Sequence, residues 1–244
     1  MTTKSYIAII GTIIVLFGLY AFISRNPAGV AGDGAVPGQQ PPPPPPPDIS
    51  VAQINQEWST LLSMANAPAI GNPNAQYTMV EIGDFQCPQC GRSRSKVEQL
   101  LTSSRGKLKL YFVNFPLPMH PHARFAAQAA LAASEQGKFW PMFDLLYSHQ
   151  DELIPSEVQY YATQEMPTLN INKFVSDTSS PTVVSRVDQQ IKFVQSLKIG
   201  ATPTFIVRKT SGGTPAWYVG TKDTPVSQGL NHFIAAPPWL KASG

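Results

Sequence analysis

Two things are scarce in this chain: charge of one sign and ligands for a metal. Eighteen Lys and Arg stand against fifteen Asp and Glu, a net charge of +3, which leaves no electrostatic footprint of the kind nucleic-acid binding requires. No nucleic-acid partner is expected. Cys87 and Cys90 are the only cysteines in 244 residues, whereas a structural zinc needs four ligands, usually two such pairs or one pair with two histidines. His120 and His122 are separated only by Pro121 and fit no usual ligand spacing, so they are read as solvated or capping residues before a helix. Neither a metal nor any other cofactor is expected. Internal repeats are absent, and so is a lipidation motif, because neither cysteine lies near the apolar amino-terminal run.

What the chain does have is proline and one long apolar stretch. Tyr6 to Ile23 carries no charge over 18 residues, about 27 Å as a helix, close to the thickness of a bilayer core. The run exceeds the apolar length of ordinary cleaved signals, and no small-x-small site precedes Arg25, so residues 1–23 are expected to form an uncleaved transmembrane anchor. Seven of the 24 prolines form the unbroken run Pro41 to Pro47. With the Gly, Ala and Gln before them they make residues 24–47 a tether, held extended by polyproline II geometry at about 3.1 Å per residue. The remaining residues, 48–244, form one domain, for which a hydrophobic content of 43% provides a core.

Within that domain, Ile54, Trp58, Leu61 and Leu62 recur at helical spacing between Ile49 and Ala65. Tyr77 to Ile82 reads as a strand, the segment after the cysteines as a helix, and Leu108 to Val113 as a second strand, the order of a parallel unit. Helical patterns then follow over Arg124–Glu135, Lys138–Gln150, Pro155–Gln164, Asn170–Ser176 and Thr182–Leu197. They form an insertion over about 120–198. Thr204–Arg208 and Ala216–Val219 flank Ser211-Gly212-Gly213 as a hairpin, and a last helix is expected near Pro225 to Ala235.

The chemistry gathers where the first strand runs into Cys87-Pro88-Gln89-Cys90. Pro88 suits the first position of a helix, where its missing N–H costs nothing, which makes Cys87 the N-cap. There, free backbone N–H groups and the helix dipole favour a thiolate. Cys87 is therefore expected to attack a thiol–disulfide partner, and Cys90, one turn on and more buried, to resolve the mixed disulfide. Glu81 lies six residues before Cys87 on the strand, and if buried beneath the helix start its pKa would rise, suiting it to take the proton of Cys90. Gly200-Ala201-Thr202-Pro203 precedes a strand, and a cis Thr202-Pro203 bond would leave the Thr202 backbone free to pair with an extended substrate. Arg92, Arg94 and Lys96 are read as a solvated helix face.

These residues resemble the DsbA-like branch of the thioredoxin superfamily. The resemblance runs from about Ile70 to Ile234 and rests on Val80 to Cys90, on Asn114 to Pro121, on Gln136-Gly137-Lys138-Phe139-Trp140 after the alanine-rich helix, and on Gly200 to Phe205. It implies an α/β thioredoxin-like fold with an inserted helical subdomain and a cis proline at Pro203. It assigns Cys87 as attacking thiol, Cys90 as resolving thiol, Glu81 as buried acid, and Thr202 with Pro203 as the substrate clamp, with Pro88 and Gln89 between the thiols at the substrate-facing rim. Where relatives often carry His or Tyr, this chain has Gln89, which leaves the direction of electron flow open.

The expected function is a membrane-anchored thiol–disulfide oxidoreductase, with its domain on the periplasmic or extracellular side, where disulfides persist. Its partners would be thiol-containing secreted or periplasmic proteins and, by the resemblance, a membrane quinone-linked reoxidase, with residues 6–23 in the lipid bilayer. A thiol reductant for cytochrome or metal-site assembly, and a non-catalytic thioredoxin-fold chaperone, are the alternatives.

Overall fold

The computed structural model describes residues 50–65, 69–213 and 216–219, all within one compact unit. The expected anchor at 6–23, the linker at 24–47 and the last helix at 225–235 lie outside the described residues. Among the described residues, no helix is long and apolar enough to cross a membrane.

Five strands form one mixed sheet: β1 (Ile70–Gly71), β2 (Tyr77–Gly83), β3 (Leu108–Asn114), β4 (Thr204–Lys209) and β5 (Ala216–Val219), in the spatial order β1-β3-β2-β4-β5. β2 runs parallel to β3 and antiparallel to β4, with Glu81 opposite Phe112 on one side and Phe205 on the other. The short β1, which the sequence pattern does not announce, pairs antiparallel with β3.

Helices cover both faces of the sheet. One face packs α1 (Val51–Met64) and α7 (Pro181–Ser196) through Ile54, Trp58, Leu61 and Val194 against Val80, Ile82, Val113 and Ile206. On the other, Val97 and Leu100 of α2 (Pro88–Ser103) pack on Tyr77, Met79, Leu110 and Phe205. Central position explains why all seven residues of β2 are buried. Covered on both faces, it has no solvent side to which Glu81 can turn.

Between β3 and β4 stand α3 (Ala123–Ser134), α4 (Phe139–Ser148), α5 (Pro155–Glu165), α6 (Ile171–Thr178) and α7. Ser180 caps α7, accepting from the Val183 N–H, and Asn170 caps α6 in the same way through the Lys173 N–H. Alanine dominates α3, and Ala126, Ala127, Ala129 and Ala130 are all buried. Small side chains let the neighbouring helices close on it, so it forms the spine of the helical subdomain. That subdomain reaches the sheet at an aromatic cluster in which Phe85 lies 5.2 Å from Phe112, 5.7 Å from Phe143 and 5.0 Å from Tyr147 between ring centroids. Gly83 permits this approach, because a Cβ there would sit 2.5 Å from the Phe112 ring.

Candidate active site

β2 delivers the chain into a turn that the Cys87 N–H closes on the Asp84 carbonyl at 3.1 Å. Cys87 takes the N-cap conformation (φ −73°, ψ 119°) and Pro88 opens α2. Cys90, one turn on, is sealed at 1% exposure, while Cys87 is 6% exposed. Both are free thiols. Pro88 is exposed and Gln89 half-buried, so the residues between the thiols form the rim of the site.

The two sulfurs meet opposite surroundings. Cys87 is lowered from an ordinary 9.0 to about 5, chiefly by a hydrogen bond from the Cys90 thiol, outweighing its partial burial. The Thr202 side chain and the backbone N–H groups of Cys90 and Gln89 add to this. The Thr202 Oγ1, although it favours the thiolate, forms no aligned hydrogen bond and lies buried without a partner among the described residues. Among the described residues, no cation contributes. The Gln89 side chain turns back along α2, its Oε1 accepting from Arg92 Nε at 3.4 Å, so what Gln89 gives Cys87 is its N–H. Cys90 moves the other way, well above 9.0, because burial opposes its charge and the neighbouring Cys87 and Glu81 oppose a second negative charge. Its one opposing contact is the Asp84 N–H, 3.5 Å from Sγ.

Glu81 lies on the β2 face beneath α2, 3% exposed, and burial between Phe112 and Phe205 raises its carboxyl from 4.5 to about 8. Together with Cys90 it lines a cavity of about 90 Å³ that extends past Trp140 to Arg94 and Asp144. The cavity has room for water. Tyr147 lines it too, with its hydroxyl buried and without a hydrogen-bond partner among the described residues.

On the opposite wall, the Thr202-Pro203 bond is cis. It turns the Thr202 carbonyl to Cys87, whose Sγ donates to it at 3.4 Å. The Cys87 sulfur and a backbone segment outside the strand ladders therefore face each other.

Residues that the sequence alone did not assign to the site also hold it. The Asp84 carboxylate is fully buried, and accepts from the Gln86 N–H at 2.8 Å and the Leu117 N–H at 2.9 Å. His120 Nδ1 lies 2.7 Å from the same carboxylate, which corrects the reading of His120 as a solvated or helix-capping residue: it ties the loop after β3 to the cysteine turn. His122 does occupy the N-cap position of α3, but its side chain makes no cap. Its N–H instead donates to Gln86 Oε1 at 2.7 Å. Arg94, on the helix face read as solvated, pairs at the surface with Asp144 of α4 at 2.6 Å. Gln150, just beyond α4, donates to the carbonyls of Phe85 at 2.7 Å and Cys87 at 2.8 Å. An Asp followed two residues later by a turn amide was a readable cue for Asp84; nothing local marks Gln150, whose partners lie over sixty residues away.

With this geometry in view, comparisons place the chain among known proteins. A family model described as thioredoxin matches residues 63–216. The chain is similar to a thioredoxin-like oxidoreductase from Silicibacter pomeroyi DSS-3, 27% identical with a TM-score of 0.59, over 74% of this chain and 97% of that one. It shares its fold with DsbA2 of Pseudomonas aeruginosa, at 22% identity and a TM-score of 0.56, over 72% of this chain and 94% of that one. A curated relative, Na(+)/H(+) antiporter NhaA 3 of Salinispora tropica, is 38% identical over 138 residues, 56% of this chain but 21% of that protein. The chain thus spans about a fifth of the length of the curated relatives it matches.

Proposed function

The chain belongs to the thioredoxin family, and on that premise we propose that it is a DsbA-like thiol–disulfide oxidoreductase, anchored to a membrane through residues 6–23, that passes disulfides to secreted or periplasmic proteins. The observation that carries the reading is the opposite treatment of two thiols one helical turn apart, Cys87 lowered to about 5 and Cys90 raised well above 9.0. Structural cysteines have no need of such a split. Exchange does, because it requires one sulfur that leaves readily as thiolate and another that waits inside.

In the oxidising direction a client thiolate attacks Cys87 Sγ of the Cys87–Cys90 disulfide. The S–S bond breaks and its electron pair goes to Cys90, which takes a proton. A second client thiol, after losing its own proton, attacks its disulfide-linked sulfur, forming the client disulfide and releasing Cys87 as thiolate. Client dithiol and enzyme disulfide become client disulfide and enzyme dithiol, so electrons balance. Glu81, carrying a proton up to about pH 8, supplies it to Cys90 and takes it back on reoxidation. The Thr202 backbone beside cis-Pro203 holds the client strand, with Pro88 and Gln89 at the rim.

The low Cys87 value supports disulfide donation over reduction, since a stable thiolate favours the dithiol form. DsbA is the standard example of that relation. The apolar run at 6–23 and the proline tether support an anchored domain on an oxidising side of the membrane, reoxidised there by a quinone-linked partner. A match to one fifth of a longer protein carries nothing of the rest, so ion antiport forms no part of this reading.

The test is trapping. A Cys90→Ala variant should accumulate a client joined through Cys87, and Cys87→Ala should lose dithiol oxidation; full activity in Cys87→Ala ends the proposal. Client binding that survives removal of both thiols, with no exchange by the parent, would favour the chaperone reading. Resistance of the full chain to alkaline extraction from membranes checks the anchor.

A further inference from the structure

The backbone carbonyls of the turn that carries Cys87 are fastened from the far end of α4 by the Gln150 side chain. Gln150 Nε2 donates both to the Phe85 carbonyl at 2.7 Å and to the Cys87 carbonyl at 2.8 Å. The Cys87 carbonyl also accepts from the Gly91 N–H at 3.2 Å as α2 begins. One carboxamide therefore brackets the peptide units on either side of Gln86-Cys87 and pins Cys87 in its N-cap conformation. That conformation aims the N–H groups of Gln89 and Cys90 at Sγ, Pro88 having none to offer. The donation also engages the negative ends of two carbonyl dipoles beside a sulfur that must bear charge.

Space is reserved for this contact. A Cβ on Gly91 would collide with Gln150 Oε1, so glycine after Cys90 is what lets the carboxamide reach the turn. The segment is braced from behind as well: the adjacent His149 stacks on Tyr161 at 3.6 Å between centroids, and its Nε2 lies 2.7 Å from Glu165 of α5. The insertion thus grips the cysteine turn through a held side chain, independently of the surface pair Arg94–Asp144.

We propose that Gln150 is the positioning residue by which the helical insertion tunes the Cys87–Cys90 couple, through its two hydrogen bonds to the backbone carbonyls of the cysteine turn. The inference rests on the exchange reading above. Removing the donor loosens the N-cap and weakens stabilisation of the thiolate, so the dithiol form loses ground to the disulfide. Gln150→Glu is nearly isosteric, but ionised it presents an acceptor to two carbonyls, and its effect exceeds that of Gln150→Ala.

The experiment compares the parent with Gln150→Ala, Gln150→Glu and Gln150→Met in the full chain. Three quantities are read: the equilibrium of the couple with glutathione, the pH titration of thiolate absorbance in the dithiol form, and the melting temperatures of the dithiol and disulfide forms. Gln150→Glu should shift the equilibrium about tenfold or more towards disulfide, a potential about 30 mV lower. Its Cys87 should titrate about one pH unit higher. Gln150→Ala and Gln150→Met should move both in the same direction by less. The two forms should lose stability unequally, the dithiol more. If both forms melt lower by the same amount while equilibrium and titration stay at parent values, Gln150 is merely structural and the proposal falls. Should Gln150→Glu fail to fold, Gln150→Met, which keeps the bulk without the donor, decides. If the parent pair exchanges with no disulfide, the functional reading falls instead, and the thiolate titration alone judges Gln150.

Discussion

The rim of the first turn of α2 and the interior beneath it differ more than the distance between them suggests. At the rim, Cys87 meets backbone N–H groups, the Cys90 thiol and the Thr202 hydroxyl. In the interior, Cys90 meets Glu81, the Tyr147 ring and apolar walls. One sulfur is thereby driven to about 5 and the other well above 9.0, though both are cysteines of one helical turn. Local sequence does not separate two thiols so far; which side of the turn faces the sheet does.

Substitutions can break this contrast at several strengths. The largest effect is expected from Phe85→Ala, which empties the centre of the aromatic cluster under the turn and should cost about 3–5 kcal/mol in chemical denaturation. Unchanged stability would show that the interior is not sealed as described. Glu81→Gln should slow the steps that move a proton at Cys90 about a hundredfold, read by stopped-flow turnover of the Cys87-linked mixed disulfide. It also changes stability with a definite sign. Glu81 binds its proton more tightly folded than unfolded, so its contribution is fully present below about 4.5 and is lost as pH rises through about 8. The Gln variant should lack that decline, a difference of a few kcal/mol at the alkaline end, measured by denaturation at pH 5 and pH 9.

On the rim side the effects are smaller. Cys90→Ala removes the largest influence on Cys87, and its titration, followed by thiolate absorbance, should rise from about 5 by one to two pH units, the worth of a hydrogen bond to a charged group at about 1.5–3 kcal/mol. An unmoved titration would assign the low value to the helix N-terminus alone. Smallest is Arg94→Ala. The pair with Asp144 is 26% and 58% exposed on its two sides, so its loss should cost less than about 1 kcal/mol and leave the Cys87 titration where it was.

Much of this molecule is legible in its residues because the signals are local. Apolar spacing marked α1, large and β-branched residues marked β2, and Pro88 placed the start of α2 with Cys87 as its cap. Thr202-Pro203 before β4 could be read as a wall of the site because a proline at a strand start restricts backbone geometry in a known way. What stayed hidden depended on chain crossings. Glu81 was recognisable as a carboxylate in an apolar strand, but its burial on both sides follows from β3 and β4 pairing with β2. His120 looked dispensable until Asp84 was seen buried beside it, and Gln150 resembles any polar residue after a helix.

By itself, then, the sequence determined that two thiols sit at a helix start, that a helical block interrupts the sheet, and that an apolar run and a proline run come before them in the chain. Short-range geometry decides those features, and neighbours in the chain supply it. The tertiary structure alone decided the electrostatics: which carboxylate loses water, which carbonyl faces Cys87, and which distant amide fastens its turn. Those depend on desolvation and on directed hydrogen bonds of about 3 Å, and both exist only once residues far apart in sequence have been packed together.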